Sequence, residues 1–145
     1  MLRIFLTKIS YKYYTMKSKE FIVEEKLSKE QREETIKDFI SFVRKKLHVK
    51  DTVDINFSYD SDDAKRDHHT GAYNINTHQM FVYMHERNLV DILRTIAHEF
   101  QHVKQGHDGR LHQKNLPVSK IEAEADTVAG WIIKLYGKDH RHIYE

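Results

Sequence analysis

Two histidines and a glutamate stand at the spacing His98-Glu99-x-x-His102. On an α-helix, residues i and i+4 lie on the same face, so both imidazoles can reach one metal ion. Glu99 lies about 100° further round the helix, where it can contact a water on that ion without binding the ion itself. Imidazole is a frequent zinc ligand, and a carboxylate beside a zinc-bound water can act as its general base. The spacing therefore predicts a metal site at which a water molecule is activated.

The flanking sequence predicts the helix that this chemistry requires. Apolar residues form a stripe with helical spacing: Ile92, Leu93, Ile96, Phe100 and Val103. Such a stripe is typical of a helix with one buried face. Asn88 fits an N-cap, Asp91 falls in the first turn, and Gly106 lies near the end. We therefore expect one continuous helix to hold both histidines.

A third metal ligand is expected, because a catalytic zinc ion usually has three protein ligands and one open position. The segment 119–126 offers it, since Glu122 and Asp126 are again four residues apart and share a helix face. We interpret Glu122 as the metal-binding carboxylate, and Asp126 as the acceptor for the second nitrogen of a ligating histidine. An alternative stays open: Ser119 and Glu122 also fit a capping box, and the ligand would then be Glu124 or neither carboxylate.

Together, His98-Glu99-x-x-His102 and Glu122-x-x-x-Asp126 resemble the gluzincin clan of zinc metallopeptidases. The second string is also similar to the glutamate helix of the minigluzincins and of the ImmA/IrrE-type and HtpX-type peptidases. The resemblance covers the two site segments and the loop between them. It implies a zincin-like fold, a bound Zn²⁺ and the activity of a zinc metalloendopeptidase. The implied ligands are His98, His102 and Glu122, and the implied general base is Glu99.

The spacing excludes the metzincin pattern of zinc peptidase. That pattern needs a glycine three residues after the second histidine and a third ligand three residues later. This chain has Gln105 and Asp108 there, and no methionine after Met84 for a methionine turn. We interpret most histidines outside the motif as solvent-facing residues of polar segments: His68, His69, His78, His85, His107, His112, His140 and His142.

The composition is typical of a folded protein, with 39% hydrophobic and 32% charged residues over a length that suits one domain. We expect a single domain over residues 1–145, with residues 1–20 as a frayed segment or a strand. Basic and acidic residues nearly balance, at 24 and 22, which argues against nucleic acid as a partner.

Cysteine is absent, so histidine and carboxylate side chains are the expected metal ligands. No stretch approaches the roughly 20 apolar residues of a membrane span, and the N-terminal segment lacks the apolar run of a signal peptide. These observations predict a cytoplasmic protein without a membrane partner.

Periodicity and turn residues place the remaining elements. The predicted elements are a helix at about 28–48, strands at 53–57, 71–76 and 80–84, and a polar loop at 58–70. Ser28 and Gln31 form a capping-box pattern at the start of the first helix. The glutamate helix is expected to stop at Gly137.

This order predicts an α+β fold with a small, mostly antiparallel sheet, a backing helix, the helix of the His-Glu motif and the glutamate helix. The gluzincin resemblance implies a zincin-like arrangement, in which an edge strand ahead of the metal helix pairs with an extended substrate. The strand Gln79–Met84 is the candidate for that role.

By resemblance, the substrate is a peptide or protein, and a histidine or tyrosine after the glutamate helix stabilises the oxyanion. The available residues are Tyr136, His140, His142 and Tyr144, and no spacing selects among them. Little sequence follows that helix, so we expect a shallow cleft, a protein partner that completes the cleft, or a single dedicated target. The alternative is a catalytically inactive zinc-binding interaction domain of zincin fold. Glu99 argues against it, because a structural site needs no general base.

Overall fold

The computed structural model describes residues 26–67 and 69–145. The expectations for residues 1–20 lie outside these ranges. The helices are α1 Lys29–Leu47, α2 Ser61–Asp67, α3 Leu89–His107 and α4 Val118–Asp139, the strands are β1 Asp54–Ser58, β2 Gly71–Asn74 and β3 Gln79–Tyr83, and two 3₁₀ turns are Arg110–His112 and Arg141–Tyr144. The structure is therefore α+β, in the predicted order of elements.

Helix α1 begins at the predicted capping box. The Ser28 hydroxyl accepts a hydrogen bond from the Gln31 amide at 3.1 Å, and the Gln31 side chain accepts one from the Ser28 amide at 2.8 Å. These two bonds satisfy backbone donors that the first turn of a helix leaves free. The helix buries Ile36, Phe39 and Val43 against α3 and α4, and so provides the predicted backing helix.

The sheet is mixed, so the expectation of a mostly antiparallel sheet is wrong. Its strand order is β1-β3-β2, with β1 parallel and β2 antiparallel to β3. The turn between β2 and β3 is stabilised by the Asn74 side chain, which accepts hydrogen bonds from the amides of Asn76 and Thr77. A tight turn of this kind requires an antiparallel pair, and β1 then pairs with the remaining edge of β3.

The expectation that Gln79–Met84 forms an edge strand is also wrong, because β3 is the central strand. Met80 and Val82 on one face of β3 are buried under α3. Phe81 on the opposite face lies in an open groove. The helices therefore pack on one face of the sheet, as predicted, and within residues 26–67 and 69–145 the edge strands are β1 and β2.

Helix α3 occupies the centre of the fold and contacts α1, α4, β2 and β3. The five residues of its predicted apolar stripe are all buried: Ile92, Leu93, Ile96, Phe100 and Val103. Burial of this stripe on several elements stabilises the helix far more than its intrinsic propensity does. The side chains on its remaining face are therefore held in fixed positions.

Two local predictions fail. The segment predicted as a loop contains the short helix α2. Gly137 lies inside α4, which continues to Asp139. A Cβ at Gly137 would lie 2.4 Å from the Tyr144 hydroxyl, so the glycine leaves space for a neighbouring ring and does not end the helix. Among the described residues, no helix has the length and apolarity needed to cross a membrane.

Candidate metal centre

Helix α3 directs His98 and His102 to one point. Their Nε2 atoms lie 3.0 Å apart. The rings are held one turn apart by the helix, and both are partly buried. At this separation one ring nitrogen can donate a hydrogen bond to the other. If a cation lies beside both, both nitrogens can instead direct their lone pairs at it. The i and i+4 spacing therefore produces the convergence that the sequence predicts.

Helix α4 brings Glu122 to the same point. Its carboxylate oxygens lie 3.1 Å from His98 Nε2 and 3.1 Å from His102 Nε2. One ligand atom from each of the three side chains lies within 4.8 Å of the others, so the group can hold a metal ion. The helix begins at Val118 with Pro117 as its N-cap and without a capping bond. The capping-box interpretation of Glu122 is therefore wrong.

Glu124, the alternative ligand, lies outside this group. Its carboxylate accepts hydrogen bonds from the Arg110 guanidinium and from the side-chain amides of Gln101 and Gln105. The bond from Arg110 is the main reason why the pKa of Glu124 is lowered to about 2. Glu124 is thus an ionised carboxylate whose partners are protein groups, and Glu122 is the carboxylate that faces the histidines.

The second nitrogen of each histidine has its own partner. His98 Nδ1 lies 2.8 Å from Asp126 Oδ1, which is the contact expected from the spacing. His102 Nδ1 lies 2.7 Å from Gln105 Oε1. Partners of this type set the tautomer and the ring orientation of a ligating histidine. Gln105 was not predicted as a site residue, although its position three residues after His102 on a helix is a signal that could have identified it.

Glu99 lies beside this group under strand β2. Only 5% of Glu99 is exposed. A Cβ at Gly71 would lie 3.0 Å from Glu99 Oε1 and 2.4 Å from Thr95 Cγ2, so the backbone of β2 approaches Glu99 as closely as a glycine permits. Burial, together with the negative charge of Glu122, raises the pKa of Glu99 to about 8. A carboxyl group with a raised pKa near a candidate metal site is suited to accept and return a proton.

The residues predicted to stabilise an oxyanion are remote from this site. Tyr136 follows Glu122 by about four helical turns, roughly 21 Å along the axis. Its hydroxyl donates a hydrogen bond to Asp38 at 2.7 Å. His140 stacks on Tyr136, and His142 contacts Thr35. Because α4 continues without a break to Asp139, these side chains lie at the end of the helix opposite to Glu122.

Comparisons with protein-family models, with curated proteins and with solved structures find no match to this chain. Any function of the site is therefore inferred from its residues and their geometry.

Proposed function

We propose that the protein is a zinc-dependent metallopeptidase. The proposed zinc ligands are His98, His102 and Glu122, and the proposed general base is Glu99. The observation that carries the proposal is the convergence of three ligand side chains on one point beside a buried fourth carboxyl group. Two imidazoles and one carboxylate form a ligand set typical of catalytic zinc.

The distances within the group fit a small metal ion such as zinc. At a tetrahedral zinc with metal–ligand distances of about 2.0–2.2 Å, neighbouring ligand atoms lie about 3.3–3.6 Å apart. The corresponding distances in this protein are 3.0 and 3.1 Å, so a small expansion accommodates the ion. Three protein ligands leave a position open for water, whereas structural zinc sites usually have four.

The residues around the ion would transfer the protons and hold the ligands in place. When bound, zinc acidifies a water molecule and polarises the scissile carbonyl. Glu99 accepts the proton of that water and returns it to the leaving amine, so that it acts first as base and then as acid. Asp126 holds the His98 ring in place through its Nδ1 atom.

Strand β2 supports a peptide as the substrate. The Tyr83 amide donates a hydrogen bond to the Thr70 carbonyl, and β2 pairs antiparallel to β3 with Gly71 opposite Val82. Gly71 and Tyr73 are therefore at non-hydrogen-bonded positions, where backbone amides and carbonyls point away from the partner strand. A peptide added along this edge as a further strand would pass beside Glu99, which Gly71 adjoins.

A catalytically inactive zinc-binding interaction domain is the second candidate. The observation that favours it is the remote position of all four candidates for the residue that stabilises an oxyanion. The position of Glu99 favours the peptidase, since a buried carboxyl group with a raised pKa has no evident structural use there.

The first test combines zinc content with cleavage of a peptide library. We expect one zinc per chain in wild type after dialysis and in Glu99→Gln, but not in Glu122→Ala. Loss of the general base should reduce cleavage by about 10²- to 10⁴-fold. Glu33→Gln, at an exposed glutamate of α1, is the matched control and should behave as wild type.

The outcomes separate the two candidates. Wild type without tight zinc would refute both. Zinc with no cleavage of any library peptide would favour the interaction domain. Full cleavage by Glu99→Gln would refute the assignment of Glu99 as general base.

A further inference from the structure

Gln105 is a fully buried polar residue that no part of the proposed catalytic cycle uses directly. Its exposed fraction is 0%. The side-chain oxygen lies 2.7 Å from His102 Nδ1. The side-chain nitrogen lies 3.1 Å from the Ile121 carbonyl oxygen and 3.4 Å from Glu124 Oε1. One amide thus joins the second histidine of α3 to the backbone residue that precedes Glu122 in α4.

These partners determine which way the Gln105 amide points. The Ile121 carbonyl can only accept hydrogen bonds. The Glu124 carboxylate, which faces Arg110, can also only accept them. The NH₂ group of Gln105 must therefore face Ile121 and Glu124, and its oxygen must face His102. An amide oxygen only accepts. Gln105 therefore favours the proton of a neutral His102 on Nδ1 over Nε2, where the Glu122 carboxylate, 3.1 Å away, is the competing acceptor. The Nδ1–H form leaves the Nε2 lone pair available to a metal ion.

We propose that Gln105 is a positioning residue of the metal site, which holds His102 in the Nδ1–H tautomer and aligns α4 beside it before any metal binds. This inference rests on the proposed metal site. Glu124 extends the arrangement, because it binds Gln105, Gln101 and Arg110 together. Arg110 lies in the 3₁₀ turn between the two site helices, so the loop is tied to His102 through two side chains.

His98 provides an internal comparison. Its Nδ1 partner, Asp126, has a side chain that is 76% exposed, so water can replace the carboxylate if it is removed. Water has no access to the buried Gln105. An unpaired buried group keeps its full desolvation cost. The tautomer of His102 should therefore depend on Gln105 more strongly than the tautomer of His98 depends on Asp126.

The test reads the histidine tautomers directly. Two-bond ¹H–¹⁵N spectra of the metal-free, full-length protein show which ring nitrogen carries the proton, at a pH well above the imidazole pKa of about 6.5. The His102 signals are assigned by their loss in His102→Asn. Wild type should show His102 as Nδ1–H, and Gln105→Leu should show the Nε2–H form or a mixture.

Zinc affinity is the second readout. Gln105→Leu should weaken zinc binding by about 10- to 100-fold, the usual effect of removing the outer partner of a ligating histidine. Gln105→Glu keeps an acceptor at His102 Nδ1 and should retain the Nδ1–H tautomer, but it loses the donor to the Ile121 carbonyl and should lower the free energy of unfolding. Gln113→Leu, at an exposed glutamine, is the matched control and should change neither readout.

Failure of the proposal and failure of the proposed function give different results. Wild-type His102 in the Nε2–H tautomer would overturn the positioning role without any variant, even if zinc binds tightly. An unchanged tautomer and zinc affinity in Gln105→Leu would also overturn it. Wild type in the Nδ1–H tautomer but without zinc affinity would overturn the proposed function, and the role of Gln105 in metal binding with it.

Discussion

Two histidine pairs in this chain lie beside acidic side chains, and their geometries differ. His98 and His102 stand four residues apart on α3, and their Nε2 atoms are 3.0 Å from each other. His140 and His142 stand two residues apart at the end of α4, and their ring centroids are 5.9 Å apart. Both pairs have a carboxylate within reach, Glu122 for the first and Asp38 for the second.

The second pair is engaged in packing. His140 stacks on the Tyr136 ring with 3.9 Å between the centroids and 4° between the planes. His140 Nδ1 also lies 2.9 Å from the Tyr136 carbonyl oxygen, and His142 Nε2 lies 3.2 Å from Thr35 Oγ1. Each ring is thus directed at a different protein group. A metal site requires converging lone pairs, and proximity of histidine to carboxylate is not sufficient.

The largest expected difference between the two pairs is in zinc affinity. His102→Ala removes a ligand outright, so it should weaken zinc binding by well over the roughly 10- to 100-fold that removal of an outer partner costs. His142→Ala should leave zinc affinity unchanged. Competition with a chromophoric chelator measures both. Equal losses in the two variants would show that His140 and His142 bind the ion or control its site.

A smaller difference, in the free energy of unfolding, is expected between alanine substitutions at the two glycines that lie beside the two pairs. A Cβ at Gly71 would lie 2.4 Å from Thr95 Cγ2, and a Cβ at Gly137 would lie 2.4 Å from the Tyr144 hydroxyl. Thr95 is buried and branched, whereas Tyr144 is 47% exposed and can swing outward. Gly71→Ala should therefore lower the free energy of unfolding by about 1–3 kcal/mol, and it should also displace Glu99 and reduce cleavage.

Gly137→Ala is the matched comparison. The cost of moving Tyr144 is offset by the better helix propensity of alanine, so the unfolding free energy should change by less than about 1 kcal/mol. Urea denaturation of the two variants measures the contrast. If both variants lose the same stability, the close approach of β2 to α3 is not a tight constraint on the site.

The smallest expected effect is a pH dependence of stability at Tyr136, the residue on which His140 stacks. Burial, and to a smaller extent the hydrogen bond to Asp38, raises the pKa of Tyr136 above its ordinary value. The folded protein therefore keeps the phenolic proton at a pH where the unfolded chain loses it. The resulting stabilisation is complete below about pH 10 and is lost as the pH rises toward the folded-state pKa, by about 1 kcal/mol at pH 11.

Tyr136→Phe should remove this contribution to the alkaline loss of stability. Tyr59→Phe, at an exposed tyrosine, should retain it. Thermal unfolding between pH 9 and 11, roughly one unit either side of the ordinary tyrosine pKa, compares the two variants. An identical alkaline decline in both would show that Tyr136 ionises as easily in the folded state as in the unfolded chain.

Local sequence determined much of the site. The i and i+4 spacing of His98 and His102, and of Glu122 and Asp126, acts through helix geometry, which depends only on the backbone. The apolar stripe of α3 and the capping box of α1 are likewise local, and both are present as predicted. The types of ligand and the helices that carry them were therefore predictable without any tertiary contact.

Other features depended on contacts between distant segments. The sequence predicted three strands but not that β3 would be central, because either edge of a strand can accept a partner and burial of the whole sheet decides which does. The choice of Glu122 over Glu124 depended on Arg110, which binds Glu124 from the loop between the helices. Tyr136 was a candidate for the site until the length of α4 placed it at the opposite end.

The sequence by itself determined which side chains have the chemistry for a metal site and which helix faces they share, because helical periodicity is a local property. Only the tertiary structure decided that α3 and α4 bring three of them to one point, that Gln105 lies buried behind His102, and that β2 covers Glu99. These positions follow from the packing of segments far apart in the chain, and packing is specified by the whole set of buried contacts.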